Sequence, residues 1–324
     1  MLTPTQLSQL IEQEITQLDL KGKPDNLYEP MRYIVSLGGK RTRPQLVVLG
    51  CELFTDSVQP ALTAAMAVEC FHNFTLLHDD IMDIAPLRRG KATVHEKWNT
   101  NIAILSGDAL FVKSIQLLMQ VPNAVLVPCL TTFNATALQV CEGQQLDMNF
   151  ETQATVSIPQ YINMIRLKTA VLLGASLKIG AYIGGAVAED AEALYKFGEY
   201  LGIAFQLQDD ILDVYGNPET FGKQVGGDIL ANKKTYLLLK SLQVAHKYQL
   251  EVLQQWTQTI DYNPTEKIKA ITEIYDYLNV RKLAEAEMEM YYTKALQCLA
   301  TIPVSDERKQ SLLQLAAQLM LRTQ

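Results

Sequence analysis

The chain has 324 residues, of which 48% are hydrophobic, so it can bury a large core in one or two domains. Its formal net charge of -7, from 28 basic and 35 acidic residues, argues against a general nucleic-acid-binding protein, which usually carries a basic excess. The five cysteines show no CxxC spacing, so the sequence predicts neither a disulfide framework nor a zinc site and favours a reducing cytoplasm.

Apolar residues recur at intervals of three and four along most of the chain, whereas alternating strand-like runs are scarce. The first helix is predicted from a capping box, in which Thr3 is followed by Pro4 and Gln6. Glycines and prolines then divide the chain into about ten or more predicted helices, with an early break over 24–30. No break is long or polar enough for an interdomain linker. Residues 1–324 are therefore expected to form a single all-α domain, a large helical bundle.

An aspartate cluster lies near the end of a predicted helix in the segment FHNFTLLHDDIMDIAP. The helical period places Asp79 and Asp83 on one face, and Pro86 marks the end of the helix. The segment FQLQDDILDVYGNP repeats the pattern with Asp209 and Asp213. The helix dipole disfavours carboxylates at this end by roughly 0.3–1 kcal/mol per group. Two such placements indicate a cationic partner, and a divalent metal ion is the leading candidate.

One apolar stretch, residues 170–188, is nearly long enough to cross a bilayer. Lys178 lies in its middle, where a charge would be costly in lipid, and its glycines and alanines suit close helix packing. The sequence therefore favours a soluble core helix, and no membrane span is expected.

Basic residues beside glycine turns supply counter-charges for phosphate groups. They occur in GGKRTRP at 38–44 and LRRGKATVH at 87–95, and in the lysines near the second cluster. Magnesium is usually held by one or two carboxylates together with waters and substrate phosphate oxygens. Metal ions and cationic side chains around a diphosphate would stabilise its charge as it departs. The predicted chemistry is therefore the ionisation of an allylic diphosphate beside an apolar helix that excludes water.

The ordered motifs resemble those of the trans-polyprenyl diphosphate synthase family, which includes farnesyl and geranylgeranyl diphosphate synthases, over about residues 25–240. The motifs are GGKRTRP, a histidine seven residues before the first aspartate, DDIMD with RRG, GQQLD, KT, FQLQDD and GGDILANKKT. The resemblance implies an all-α bundle of the isoprenoid synthase class I type around a central cavity. It also implies a magnesium-dependent transferase of isoprenoid biosynthesis that condenses isopentenyl diphosphate head to tail with an allylic diphosphate. Most family members are homodimers.

The resemblance also assigns site residues by position. It implies that several magnesium ions, with three expected, bind Asp79, Asp83 and Asp209. Asp80, Asp210 and Asp213 are implied to support these ligands. The isopentenyl diphosphate site is implied to comprise Lys40, Arg43, His72 and Arg89. The allylic diphosphate site is implied to comprise Arg88, Lys168, Thr169, Gln206, Lys223 and Lys233. His72 could instead be a core residue. Gln144 and Asp147 could contact ligand or brace helices.

The product length is predicted from residues that precede the first aspartate cluster. Phe71, Phe74 and Thr75 are expected to floor the cavity below Asp79. An aromatic residue five positions before the first aspartate, with a small residue four positions before it, resembles short-chain geranylgeranyl synthases. A C20 product is therefore favoured over C15.

Other readings of the same residues are a terpene cyclase and a subunit of a heteromeric longer-chain synthase. The motif GGKRTRP and Arg89 argue against the cyclase, because a cyclase needs no isopentenyl site. The intact aspartates argue against a noncatalytic subunit. A carboxylate bundle would require two Glu-x-x-His motifs, and only Glu69 to His72 fits.

Overall fold

The computed structural model describes residues 2–217, 225–259 and 261–320. The chain divides into two compact units. The first unit contains the described residues of Met1–Asn134, Ala175–Tyr195 and Pro303–Leu312. The second contains those of Ala135–Gly174, Lys196–Ile302 and Leu313–Gln324. That the whole chain forms one domain remains a prediction.

Helices dominate the described residues, so the all-α prediction is confirmed. The first helices along the chain are α1 (Pro4–Gln17), α2 (Asp25–Ser36), α3 (Thr42–Glu52), a 3-10 turn (Gln59–Ala61), α4 (Leu62–Met82), α5 (Val94–Lys97) and α6 (Thr100–Leu118). The next are α7 (Asn123–Thr152), α8 (Ile158–Ile165), a π-helical segment (Arg166–Ala170), α9 (Val171–Gly184) and α10 (Ala188–Tyr215). The last are α11 (Gly227–Leu230), α12 (Tyr236–Val244), α13 (Lys247–Gln258), α14 (Pro264–Tyr277), α15 (Val280–Ala300) and α16 (Asp306–Met320). A two-stranded antiparallel hairpin joins β1 (Leu87–Arg88) to β2 (Lys91–Ala92).

The predicted start of the first helix is confirmed, whereas one predicted break is wrong. The Thr3 hydroxyl accepts a hydrogen bond from the Gln6 backbone amide, and the Gln6 side-chain oxygen accepts one from the Thr3 backbone amide. The expected break over 24–30 lies earlier, between Gln17 and Asp25 with Pro24 at the N-cap of α2, and the prediction is wrong for 25–30, where α2 contains Pro30. Proline costs this helix one backbone hydrogen bond. Burial of Met31 and other apolar side chains of α2 offsets that loss.

The glycine-rich stretch 170–188 includes the close contact between α3 and α9 in the first unit. A Cβ added at Gly180 would collide with the Val47 carbonyl oxygen, so only glycine lets the two helices approach this closely. Leu177 and Ile179 are fully buried beside it. The Lys178 ammonium lies 2.6 Å from Glu192 Oε2. The predicted close packing at the glycines of this stretch is confirmed for Gly180.

Three helical stretches among the described residues have the length and apolar composition of a membrane span. They are Thr100–Leu118, Asn123–Thr152 and Ile158–Gly184. The apolar stretch at residues 170–188 overlaps only the last of these three. The absence of a membrane span therefore stays a prediction.

An apolar core in the second unit positions the second aspartate cluster. Leu207 and Ile211 of α10 pack in this core with Leu237 of α12 and Leu253 of α13. Their burial fixes which side of α10 faces inward, because apolar side chains recur there at helical spacing. The carboxylates of the cluster then occupy defined positions along the same helix.

Candidate active site

The first aspartate cluster lies at the carboxyl end of α4, as predicted. The Asp83 amide donates to the Asp79 carbonyl at 2.8 Å, so the two residues are one helical turn apart. Asp80 is buried and accepts hydrogen bonds from Arg88 Nε at 2.8 and 2.9 Å. The middle aspartate is therefore neutralised by a guanidinium of the hairpin that follows.

The predicted isopentenyl diphosphate residues are brought together in the first unit. Arg43 Nη1 lies 3.0 Å from His72 Nε2, and the Arg89 guanidinium lies over Gly39 of the preceding turn. Burial, and then the charges of Arg43 and other arginines, lower the pKa of His72 well below its usual range. His72 is therefore neutral and accepts from the guanidinium. Lys40 is exposed at the same turn.

The GGKRTRP turn depends on Arg41, which is not among the predicted site residues. Arg41 has a left-handed backbone conformation with φ 49° at the start of α3. Its buried guanidinium lies 2.6 Å from Glu69 Oε1 and 3.1 Å from Glu12 Oε1. It also donates to the Val35 carbonyl at 2.7 Å. A glutamate inside the apolar run of α4 was the available signal, because a buried charge requires a partner.

The second aspartate cluster lines a pocket in the second unit. Asp209, Asp210 and Asp213 share it with Asp147, Tyr161, Lys168, Thr169, Gln206, Asp228, Lys233 and Lys234, among others. The pocket thus combines carboxylates with ammonium groups in one concave surface. It contains the described residues that the resemblance assigned to the allylic diphosphate, except Arg88, which lies in the first unit. Lys223 lies outside the described residues.

Asp210 is held by two groups that are not among the predicted site residues. The Tyr161 hydroxyl and the Tyr236 amide both donate to Asp210 Oδ2, the latter at 3.1 Å. Burial, followed by the charge of Asp228, raises the pKa of Asp210 to about 8, and these hydrogen bonds oppose the rise. Asp213 Oδ2 accepts from the Asp228 amide at 3.0 Å. The segment around Asp228 is therefore tied to the second cluster.

Lys168 and Thr169 lie in the π-helical segment, a local geometry that is frequent at functional sites. Lys168 Nζ lies 2.6 Å from Asp147 Oδ2, and the Thr169 hydroxyl lies 3.4 Å from Gln206 Oε1. Lys233 is exposed, with Nζ 3.9 Å from Asp228 Oδ1. No sequence pattern predicted the π-helical geometry.

The predicted floor residues belong to an aromatic cluster in the first unit. The ring centroids of Phe71 and Phe74 are 5.5 Å apart, and Phe74 stacks on Phe111 of α6 at 5.2 Å with an interplanar angle of 18°. Phe71 also contacts Phe133 at 5.2 Å. The Thr75 hydroxyl donates to the His72 carbonyl at 2.8 Å. Phe111 and Phe133 are not among the predicted floor residues, because they are distant in sequence from the first aspartate cluster.

Comparison with known proteins decides the family. The family model for polyprenyl synthetase matches residues 24–278. The chain belongs to the polyprenyl synthetase family. A geranylgeranyl diphosphate synthase of Methanosarcina mazei is 39% identical over 269 residues, which cover 82% of each chain.

Solved structures agree with this assignment. A crystal structure of a geranylgeranyl pyrophosphate synthase has a TM-score of 0.95 and 42% identity, and covers all of both chains. One from Pyrococcus horikoshii has a TM-score of 0.89 and 33% identity, and covers 97% of this chain and 95% of that one. This polyprenyl synthetase therefore has the all-α isoprenoid synthase fold and is a prenyltransferase of isoprenoid biosynthesis. The similarities support a short-chain product, with C20 favoured, and support neither a terpene cyclase nor a subunit of a heteromeric synthase.

The donors of this polyprenyl synthetase fit magnesium by their chemistry. Within residues 2–217, 225–259 and 261–320, no three or more His, Cys, Asp or Glu side chains are grouped for a metal ion. Magnesium does not need such a cage, because it binds through one or two carboxylates plus waters and phosphate oxygens. Asp79 and Asp83 offer hard oxygen donors one turn apart, and Asp209 offers another in the pocket of the second unit.

Proposed function

We propose that this protein makes geranylgeranyl diphosphate from isopentenyl diphosphate and an allylic diphosphate, with the residue roles given below. The observation that carries the proposal is the pocket that Lys168, Gln206 and Asp209 line together. Ammonium donors and a carboxylate on one concave surface suit a diphosphate that is bound both directly and through metal ions. A purely structural pocket would not need this concentration of opposite charges.

Lys168, Thr169, Gln206 and Lys233 form the wall of the allylic diphosphate site in this proposal. Lysine ammonium groups donate to phosphate oxygens as compact charges, and a hydroxyl and an amide add neutral donors. These groups stabilise the diphosphate as negative charge grows on it during loss of the allylic cation. The motif positions shared with the family add Arg88 and Lys223 to the proposed allylic diphosphate site. Arg88 would act from the hairpin, where it also neutralises Asp80.

Lys40, Arg43, His72 and Arg89 bind isopentenyl diphosphate in this proposal. Arginine forks match phosphate oxygens, and the contact with neutral His72 orients the Arg43 fork. Burial lowers the pKa of Arg43 to about 10, so the guanidinium remains charged at neutral pH. His72 therefore acts as an acceptor that positions a cation.

Magnesium would be held by Asp79, Asp83 and Asp209, with three ions expected. When bound, magnesium supplies positive charge that neutralises the diphosphate. Asp80 and Asp210 support this arrangement through their contacts with Arg88 and Tyr161. Asp213 supports it by accepting from the Asp228 amide. The apolar side chains of α4, among them Phe71 and Leu77, exclude water that would quench an allylic cation.

Phe74 and Phe71 set the C20 limit in this proposal, and Thr75 leaves room beside them. The stack of Phe74 on Phe111 restrains the ring, because offset aromatic pairs contribute about 0.5–1.5 kcal/mol beyond their burial. A restrained ring limits the chain length of the product more sharply than a mobile ring does. The alternative length is C15.

A second copy of the chain is the proposed partner of α6. Leu105 and Val112 of α6 and Met119 at its C-cap recur every seven residues and form one stripe with exposures of 60%, 54% and 57%. An exposed apolar stripe along a helix is typical of a protein interface, because it loses water contact on association. This face supports the homodimer that the resemblance implies.

The remaining proposals concern the cellular setting. We propose a cytoplasmic enzyme without a membrane span that binds no nucleic acid. The net charge of -7 supports the last point. Fractionation of cell lysate tests the location, and recovery in the membrane fraction after a high-salt wash would contradict it.

Product analysis tests the central proposal. Purified protein is mixed with magnesium, labelled isopentenyl diphosphate and a C5, C10 or C15 allylic diphosphate, and the products are separated by chain length. We expect elongation to C20 that stops when a chelator removes magnesium. A lack of elongation with every primer would overturn the activity, and a product of another length would overturn only the C20 assignment.

A further inference from the structure

Two residues of the GQQLD motif contact Lys168 from α7. A Cβ added at Gly143 would collide with the backbone nitrogen of Lys168, so the glycine lets the two backbones meet. One turn later on the same helix, Asp147 Oδ2 lies 2.6 Å from Lys168 Nζ. The helix therefore holds this lysine at both ends, through its backbone and through its ammonium group.

The ion pair lies in the wall of the pocket that also contains Asp209 and Gln206. The side chains of Lys168 and Asp147 are 25% and 32% exposed, so both reach the pocket surface while most of their atoms are covered. A lysine ammonium has three donors on a flexible four-carbon stem. Contact with Asp147 restrains the stem and leaves an ammonium that can also donate to a phosphate oxygen.

The carboxyl end of α7 and the residue that follows it hold a second pocket lysine. The Lys234 ammonium donates to the carbonyl oxygens of Phe150 and Gln153, the latter at 2.6 Å. Lys234 lines the pocket together with Lys168. Two lysines of the pocket, Lys168 and Lys234, are therefore held by separate contacts with this part of the chain.

We infer that Asp147 is a positioning residue, which holds the Lys168 ammonium in place for the allylic diphosphate. The inference rests on the proposed function, because it takes Lys168 as a ligand of that diphosphate. Asp147 has two opposing effects on such a ligand. The negative charge of Asp147 repels the diphosphate, whereas the ion pair with Lys168 restrains the lysine side chain. The short ion pair and the close backbone contact favour the ordering effect, since a restrained cation loses less entropy when the diphosphate binds.

Steady-state kinetics of Asp147→Asn test the inference. We expect kcat/KM for the allylic diphosphate to fall about tenfold, while KM for isopentenyl diphosphate changes less than about twofold. The matched control is Glu142→Gln, which removes a solvent-exposed carboxylate from the same helix and should leave both values unchanged. If Asp147 acts mainly by repulsion, Asp147→Asn will improve use of the allylic diphosphate, and the inference is overturned.

A double-mutant cycle with Lys168→Met separates positioning from an independent role. If Asp147 acts through Lys168, adding Asp147→Asn to Lys168→Met should cause no further loss. An equal loss in both backgrounds would overturn the inference, as would normal kinetics of Lys168→Met. Should Asp147→Asn fail to fold, Asp147→Ser replaces it in the cycle. Elongation by the wild-type enzyme in the same assay tests the proposed function separately, so the two failures are distinguishable.

Discussion

Asp79 and Asp80 are adjacent in sequence but have different surroundings. Asp80 is buried against Arg88, whereas Asp79 is partly exposed and one turn from Asp83. The second cluster repeats this division, because Asp210 is buried against Tyr161 while Asp209 is partly exposed. This difference supports the proposal that, within each motif, the first aspartate binds metal and the middle one supports it.

We expect Asp79→Ala and Asp209→Ala each to lower kcat by about a thousandfold or more, because charge stabilisation at the diphosphate is lost. Magnesium-dependent product formation measures the effect, and circular dichroism checks the fold. Asp19→Ala, at an exposed position on the loop after α1, is the control and should retain wild-type turnover. Near-normal rates in a folded Asp79→Ala or Asp209→Ala protein would refute the assigned metal role of that residue.

Ile84 has a backbone conformation that a β-branched residue rarely adopts. Its φ is 50° and its side chain is 78% exposed, directly after the first aspartate cluster. We expect Ile84→Asn to raise the free energy of unfolding by about 1 kcal/mol, because asparagine tolerates the left-handed region. Denaturant unfolding measures the change. Leu87→Asn makes a similar change at a nearby exposed residue and should give no gain; equal effects of the two substitutions would argue against strain at Ile84.

At the scale of elements, α4, α6 and α7 all contribute rings to the aromatic cluster below the first aspartates. Phe74 comes from α4 and Phe111 from α6, so the position of the predicted floor depends on how the two helices pack. A floor residue can therefore be moved by a change on the other helix. Because Phe74 of α4 stacks on Phe111 of α6, a substitution on α6 is also expected to change the product length.

We expect Phe74→Ala to lengthen the product by one or more C5 units, because it removes the ring that closes the cavity. Phe111→Ala should shift the distribution in the same direction by a smaller amount, since it releases Phe74 from its stack. Chromatography of the products measures both. Val127→Ala alters an exposed apolar residue of α7, outside the stripe of α6, and should leave the product unchanged. An unchanged product from Phe74→Ala would place the floor elsewhere.

At the scale of the whole molecule, the apolar stripe of α6 predicts self-association. We expect Leu105→Lys to weaken the dimer, because it places a charge in an apolar interface. Light scattering after size-exclusion chromatography measures the mass, with a shift from about two chains to one. Val187→Lys, which changes a residue of similar exposure outside α6, should leave the mass unchanged. A wild-type protein that is monomeric at micromolar concentration would contradict the homodimer.

Signals close together in sequence predicted much of this protein. Periodic apolar residues and the Thr3 capping box predicted helices, and both aspartate clusters lie near helix ends as their spacing requires. The ordered motifs predicted the family that the comparisons establish. These features are local, because a helix is determined by residues three and four positions apart and a motif is read along the chain.

Contacts between residues distant in sequence were decided only by the tertiary structure. Asp147 and Lys168 are 21 positions apart, and Tyr161 and Asp210 are 49 apart. Neither spacing has a period that a sequence pattern could reveal. The π-helical segment at Lys168 likewise lies against a residue distant in sequence, Gly143 of α7. A carboxylate or an aromatic ring suits many partners, so the partner it contacts is selected by burial and packing of the folded chain.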